Sequence, residues 1–290
     1  GVRPIKRVVE LDRRQPEFTL TFWRYLNNSI NDKRISRGRE MLARHRVLLR
    51  KIADRYGVQP RFIAAFWGLE TNYGKHTGVV PVIGAVATLA HDGRRSRFFR
   101  SQLLAALTIM SRGDVDYRVK GSWAGAMGNF QFIPTTYNTH AVDFDGDGRR
   151  DIWNSSADAL ASAAHYLQAS GWKAGQPWGF EVSLPDGFDY ALADSAIRKP
   201  LSEWRRLGLR GLPATMDEAS ASLLLPAGYR GPAFLVLDNF RAILRYNNSS
   251  SYGLAIGLLS ERFDGAGRVR ASWPQGEQPL SRSERVELQE

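Results

Sequence analysis

The sequence contains no cysteine. That single absence removes disulfides, cysteine nucleophiles and thiolate metal sites together. No run approaches the roughly 18 apolar residues of a membrane-spanning helix. The opening Gly1-Val2-Arg3-Pro4 resembles neither an initiator start nor a secretion signal, as expected if a signal or lipid-anchor segment has been removed. Histidine is scarce, with five in 290 residues. His45, His76, His91, His140 and His165 show no metal-ligand spacing, and each reads as structural. Phosphate-binding glycine loops and internal repeats are also missing.

Acidic residues are outnumbered, 29 against 40 lysines and arginines, which leaves a formal charge of +11. Such an excess attracts an anionic partner over long range, whether nucleic acid, a membrane surface or an acidic wall polymer. The arginines at 94, 95, 97, 100, 205 and 206 are scattered rather than gathered into one run. No nucleic-acid reading motif accompanies them.

What is present is a chain able to build a core, 43% hydrophobic and 11% aromatic. That aromatic content is enough to line a cleft for the flat apolar faces of sugars. From residue 17 to about 90 the pattern is largely helical. Met41, Leu42, His45, Leu48, Leu49 and Ile52 recur at three- and four-residue steps, and Gly57 closes that helix. A second helix begins at Gln59-Pro60, carries Phe62, Ile63, Phe66 and Trp67, and ends at Gly74. Residues 80–90, 98–110 and 156–169 read as further buried helices. Short apolar or alternating runs near 180–184, 219–225 and 233–237 predict a few strands, and helix returns at 240–245 and 252–262. The fold class is therefore mainly α (α+β), a helical bundle with a small β-containing subdomain. Beyond Asp264 the composition turns to Gly, Pro, Ser and Arg, as in a linker.

Four constellations could carry chemistry. Glu70 follows Ile63, Phe66 and Trp67 by seven, four and three residues, so it extends the apolar stripe of its helix. A carboxyl group so placed is costly to ionise and keeps its proton for donation to a leaving-group oxygen. A structural glutamate bonded to backbone or paired with an arginine satisfies the same spacing. The run GSWAGAMGNFQFIP (121–134) lets backbone pass close to a ligand, while Ser122 and Gln131 offer groups that bond sugar hydroxyls or an acetamido group. A tight helix contact is the alternative.

In DFDGDGRRD (143–151), Asp143, Asp145 and Asp147 alternate, with Gly148 at the sixth place of a calcium loop and the Arg149 carbonyl at the seventh. Asn154 stands where a glutamate would close such a loop, and Asp158 is the nearest later carboxylate. A solvated acidic turn balanced by Arg149 and Arg150 competes with calcium here. In YNNSSSY (246–252), Asn247 and Ser249 suit helix capping, and Tyr246 and Tyr252 suit stacking on sugars.

ETNYG (70–74), the 121–134 run, DFDGDG and YNNSSSY, in this order and spacing, resemble the membrane-bound lytic transglycosylase B family from about residue 17 to 262. The resemblance implies a lysozyme-like helical catalytic core, about 58–172, with flanking α and α/β parts in one catalytic domain, 1–262. Residues 263–290 would then be a linker, with PLSRSERVELQE opening a peptidoglycan-binding module. The implied activity is cleavage of the N-acetylmuramic acid to N-acetylglucosamine bond of peptidoglycan, with formation of 1,6-anhydro ends. Glu70 matches the family's acid and base. Ser122, Gln131 and Asn247 match its polar substrate contacts, and Met127, Tyr166, Tyr246 and Tyr252 its cleft lining. The metal set would be Asp143, Asp145, Asp147, Arg149 and Asp158, holding a structural calcium, with no cofactor required for the chemistry.

The partners implied are peptidoglycan strands and other cell-wall enzymes, not nucleic acid. The implied location is the Gram-negative periplasm, soluble or held at the outer membrane by an anchor absent from this chain. With no second carboxylate motif, the substrate's own acetamido group and C6 hydroxyl supply the nucleophiles. A hydrolytic muramidase and a non-catalytic wall-binding protein remain the rival readings of the same residues.

Overall fold

The computed structural model describes residues 3–14 and 21–274. These contain twelve α-helices and six short strands. The chain divides into two compact units, Gly1–Pro16 with Asp32–Gly175, and Glu17–Asn31 with Gln176–Glu290. Helix α1 (Lys6–Arg14) belongs to the first and α2 (Phe22–Ser29) to the second. Helix α2 thus groups with the C-terminal part of the chain and not with its neighbours in sequence.

The first unit continues with α3 (Asp32–Arg44), α4 (Arg46–Tyr56) and α5 (Pro60–Thr71). The single helix expected over residues 41–52 is broken at His45, whose φ of −100° and ψ of 17° leave the helical region. Helix α3 packs on α5, while α4 packs on α9 (Ser156–Ala169). Gly57 ends α4 in the left-handed region at φ 71°, its N–H donating to the Ala53 carbonyl.

Proline at the first position opens α5, where its missing N–H costs nothing. Phe62 through Gly68 are all buried, so α5 is apolar on every side and forms the centre of this unit. The expected helix over 80–90 begins two residues late. Pro81 holds Val80 extended, and β1 (Val80–Pro81) pairs with β2 (Lys120–Gly121) before α6 (Val82–His91) starts. Helix α6 packs along α7 (Ser96–Ser111), where Ala85, Val86, Leu89 and Phe99 meet Val8 of α1. The short α8 (Pro134–His140) leads from the glycine-rich run toward α9.

In the second unit, β3 (Gly179–Val182), β4 (Lys199–Pro200), β5 (Ser220–Leu224) and β6 (Ala233–Val236) form one antiparallel sheet in the order β3-β6-β5-β4. The three apolar runs expected as strands are β3, β5 and β6. The sheet buries Val182, Leu223 and Leu235 against Leu201 and Trp204 of α10 (Leu201–Arg206). Helices α11 (Asp238–Tyr246) and α12 (Ser250–Phe263) complete the unit. Gly257 lets α12 lie against the Trp178 ring, since an added Cβ would stand 2.4 Å from it.

After α12 the chain turns back to the sheet. The N–H groups of Arg270 and Ala271 donate to the Glu181 carboxylate at 2.8–3.0 Å, and Trp273 stacks on Phe22. The PLSRSERVELQE tail lies outside the described residues.

Candidate active site

Glu70 is the penultimate residue of α5, where the buried helix emerges. Its side chain is half-buried. The apolar stripe inferred from spacing is in fact an apolar helix, and Glu70 is polar because it stands at the helix end.

That end is held tightly. Asn72, Tyr73 and Gly74 follow in succession with φ of 51°, 61° and 81°. The left-handed region costs a side-chain-bearing residue roughly 1–2 kcal/mol, so the surroundings must enforce the turn. The Tyr73 N–H donates to the Trp67 carbonyl at 3.1 Å, and the Asn72 N–H to that of Gly68 at 3.2 Å. The Tyr73 hydroxyl donates to the Arg34 carbonyl at 2.7 Å, while Arg34 Nε returns a bond to the Gly68 carbonyl at 3.1 Å. Burial pushes the Tyr73 phenol pKa up, which keeps it a donor. Gly68 has no room for a side chain, because a Cβ there would lie 2.6 Å from that hydroxyl.

The run 121–134 lies against this turn. A Cβ on Gly78 would meet the Gly121 carbonyl carbon at 2.0 Å, so these two backbones touch. Ser122 Oγ accepts the N–H groups of Ala124 and Ala126 at 3.2 and 3.0 Å, which leaves its proton to be donated outward. Gln131 is half-buried with φ 51°, and its amide donates to the Thr77 and Gly128 carbonyls. Met127 is 1% exposed and exchanges backbone bonds with Phe132, so its side chain presents almost no surface. Tyr166, on α9, is half-buried and packs against Phe132 at 6.0 Å and His140 at 4.8 Å.

The remaining predicted contacts are in the second unit. The rings of Tyr246 and Tyr252 stack at 6.4 Å, 7° from parallel. Tyr252 is buried and Tyr246 half-buried. Ser249 caps α12 by accepting the Tyr252 N–H. Asn247 takes no part in that cap; it is exposed and ends α11 through its own N–H to the Ile243 carbonyl.

One carboxylate oxygen each from Asp143, Asp145, Asp147 and Asp158 all lie within 4.8 Å of one another. Oxygens on opposite sides of a calcium ion stand about 4.8 Å apart, so the spacing and the hard oxygen donors suit that ion. Asp158, in the first turn of α9, is fully buried and accepts N–H bonds from Phe144, Asp145 and Asp151. Burial raises its pKa against the pull of those bonds. Asn154 bonds to Asp151 instead of facing the cluster. Arg149 is exposed and gives its N–H to Asp147.

Sequence reasoning passed over Asn129. It is 7% exposed and uses all of its polar groups. Its Oδ1 accepts Trp67 Nε1 at 2.9 Å, and its carbonyl accepts the Thr71 hydroxyl at 2.8 Å. Its Nδ2 donates to the Ile152 and Trp153 carbonyls at 3.0 and 2.8 Å, and its N–H donates to Ile152 at 2.9 Å. The only signal available was an asparagine inside a run already marked for its glycines.

A helical unit that presents one acid at the end of a buried central helix, beside a strip of glycine and polar side chains, is of the lysozyme-like class. More narrowly, this chain belongs to the transglycosylase SLT domain family, which matches residues 1–261. It is 33% identical over 247 residues to membrane-bound lytic murein transglycosylase B of Escherichia coli K12, covering 82% of this chain and 66% of that protein's length. SltB3 from Pseudomonas aeruginosa, solved in complex with NAG-anhNAM-pentapeptide, superposes with a TM-score of 0.97 at 58% identity, over 100% of this chain and 79% of its own. Slt35 from Escherichia coli, solved in complex with calcium, superposes with a TM-score of 0.78 at 30% identity, over 91% and 84% of the two chains.

Proposed function

We propose that the chain is a peptidoglycan lytic transglycosylase, cutting between N-acetylmuramic acid and N-acetylglucosamine and leaving 1,6-anhydro ends. The observation that carries this is Glu70, half-buried at the end of a buried helix, in a chain similar along its whole length to a protein solved with an anhydro-muramoyl peptide.

Protonated Glu70 donates to the glycosidic oxygen as the bond from that oxygen to carbon one breaks. The acetamido carbonyl oxygen of the same sugar closes onto carbon one and takes up the developing positive charge. The Glu70 carboxylate then removes the proton from the C6 hydroxyl. Its oxygen attacks carbon one and releases the acetamido group. Glu70 finishes protonated, and no water is consumed. One carboxyl group suffices because the substrate supplies both nucleophiles.

Ser122 and Gln131 would bond substrate amide or hydroxyl groups, Tyr166, Tyr246, Asn247 and Tyr252 would contact sugar, and Met127 would back the 121–134 run from within its own unit. Asp143, Asp145, Asp147, the Arg149 carbonyl and Asp158 would hold calcium, whose contribution is positive charge joining the loop to α9. Such an enzyme would work on the cell wall in the periplasm. Mass spectrometry of digested peptidoglycan tests the reading, because anhydro ends are one water lighter than hydrolysed ends. Glu70→Gln should abolish release of soluble fragments. Hydrated ends from the wild type would make it a muramidase, and undiminished release by the variant would remove Glu70 from the chemistry.

A further inference from the structure

We infer that Thr71 and Asn129 are positioning residues that fix where the Glu70 carboxyl group points, an inference that rests on Glu70 being the acid. Glu70 lies between two residues of one helical turn, Trp67 and Thr71, and both are fastened to Asn129. The indole N–H reaches its side-chain oxygen at 2.9 Å and the threonine hydroxyl its carbonyl at 2.8 Å. A helix end normally frays, because its last carbonyls lack partners. Here the last turn is tied on both sides of the acid to a residue from a different segment.

Thr71 has a second task. Its Oγ accepts the Gly74 N–H at 2.9 Å, which stabilises the left-handed turn that follows Glu70. The same hydroxyl therefore fixes the helix end and the exit of the chain. It is 1% exposed, so water cannot take over either bond. Gly74 in turn is pressed against Asn129, since a Cβ there would stand 2.5 Å from Asn129 Oδ1.

Asn129 is itself immobilised from the far side by Ile152 and Trp153. Those residues end the acidic loop, so order in that loop reaches the last turn of α5 through one buried amide. An acid that must first give a proton to one oxygen and then take one from another needs such fixing. A misplacement of about 1 Å costs on the order of a hundredfold in rate.

The test compares Thr71→Val, which keeps the shape and removes the hydroxyl, with Thr71→Ser, which keeps the hydroxyl. Both are assayed on soluble uncross-linked glycan strands beside Glu70→Gln. Thr71→Val should lower kcat by roughly ten- to a hundredfold with KM nearly unchanged, and Thr71→Ser should recover most of the loss. Amide exchange at Gly74 should speed up in the valine variant alone.

Wild-type kcat in Thr71→Val, or equal losses in the valine and serine variants, would overturn the positioning role while an inactive Glu70→Gln left the acid in place. Activity in Glu70→Gln would instead overturn the reading of the acid. If Thr71→Val does not fold, Trp67→Phe decides: it removes the N–H given to Asn129 and keeps a smaller aromatic ring in place. A fall in kcat at constant KM supports the role, and an unchanged kcat ends it.

Discussion

His45 meets Trp67 edge to face, with ring centroids 5.6 Å apart and planes 67° apart. The contact joins the break between α3 and α4 to the helix that carries Glu70. Burial, then the neighbouring Arg44, lowers the His45 pKa from its ordinary value near 6.5. His140 is lowered too, by burial and then by His165. The folded protein thus disfavours protonating these rings, whereas the unfolded chain protonates them normally. Their contribution is complete above about pH 6.5 and is lost as pH falls through the lower folded values. Melting temperature should accordingly drop on acidification below about pH 6.5, and less steeply in His45→Gln. Parallel curves for the two proteins would exclude His45 from the effect.

Two glycines with similar backbone separate conformational strain from collision. Gly78 has φ 98° and no room, with an added Cβ 2.0 Å from the Gly121 carbonyl carbon. Gly93 has φ 90° and nothing within 4 Å. Gly93→Ala should cost about 1–2 kcal/mol, the price of the left-handed region alone. Gly78→Ala must also push apart two backbones at the site and should exceed about 4 kcal/mol or prevent folding. Chemical denaturation of the two variants measures the difference, and equal losses would show that the 121–134 run can give way.

Much of this was legible in sequence. Gly57, Pro60 and the apolar residues between them and Glu70 mark α5, because a buried helix needs a stop before it, a start that tolerates a missing N–H and side chains without polar atoms. The β-containing part was legible as short apolar runs bounded by Pro and Gly. The break at His45 was not, since the helical spacing of apolar residues is kept on both sides of it. Asn129 was hidden for another reason: its bonds run to Trp67, Thr71, Ile152 and Trp153, which are distant in sequence, and no local pattern records them. Asp158 was found only as the next carboxylate after Asn154, whereas folding brings the first turn of α9 against the loop.

Two serine caps should behave differently although their local chemistry is the same. Ser249 accepts the Tyr252 N–H and caps α12. Ser155 accepts the Asp158 N–H and also donates to Asp145 at 2.6 Å, so it spans cap and acidic loop. Ser249→Ala should cost about 1 kcal/mol, as for an ordinary cap. Ser155→Ala should cost more, because Asp145 loses the hydroxyl bond to its Oδ2 as well. Urea midpoints with unchanged slopes would report the two losses, and equal values would mean that the bond to Asp145 contributes nothing.

The acidic loop gives the last prediction. Four carboxylates within 4.8 Å repel unless a cation stands among them, and two of them, Asp145 and Asp147, are exposed. The backbone already shapes the loop: Asp143 accepts the N–H groups of Gly146 and Gly148 at 2.7 and 2.9 Å, and Asp158 is fixed by its own three bonds. A loop formed in advance spends less of the binding energy on ordering itself. Calcium at a hundred times its dissociation constant should therefore stabilise the fold by about 2.7 kcal/mol, raising the melting temperature, and chelator should reverse the rise. Asp147→Asn should weaken the response while leaving the ion-free melting temperature near or above that of the wild type, because it removes a charge from a repelling group. If calcium shifts neither protein, the loop is an acidic turn held by its own backbone. If Asp147→Asn instead lowers the ion-free melting temperature, repulsion is not the dominant force within it.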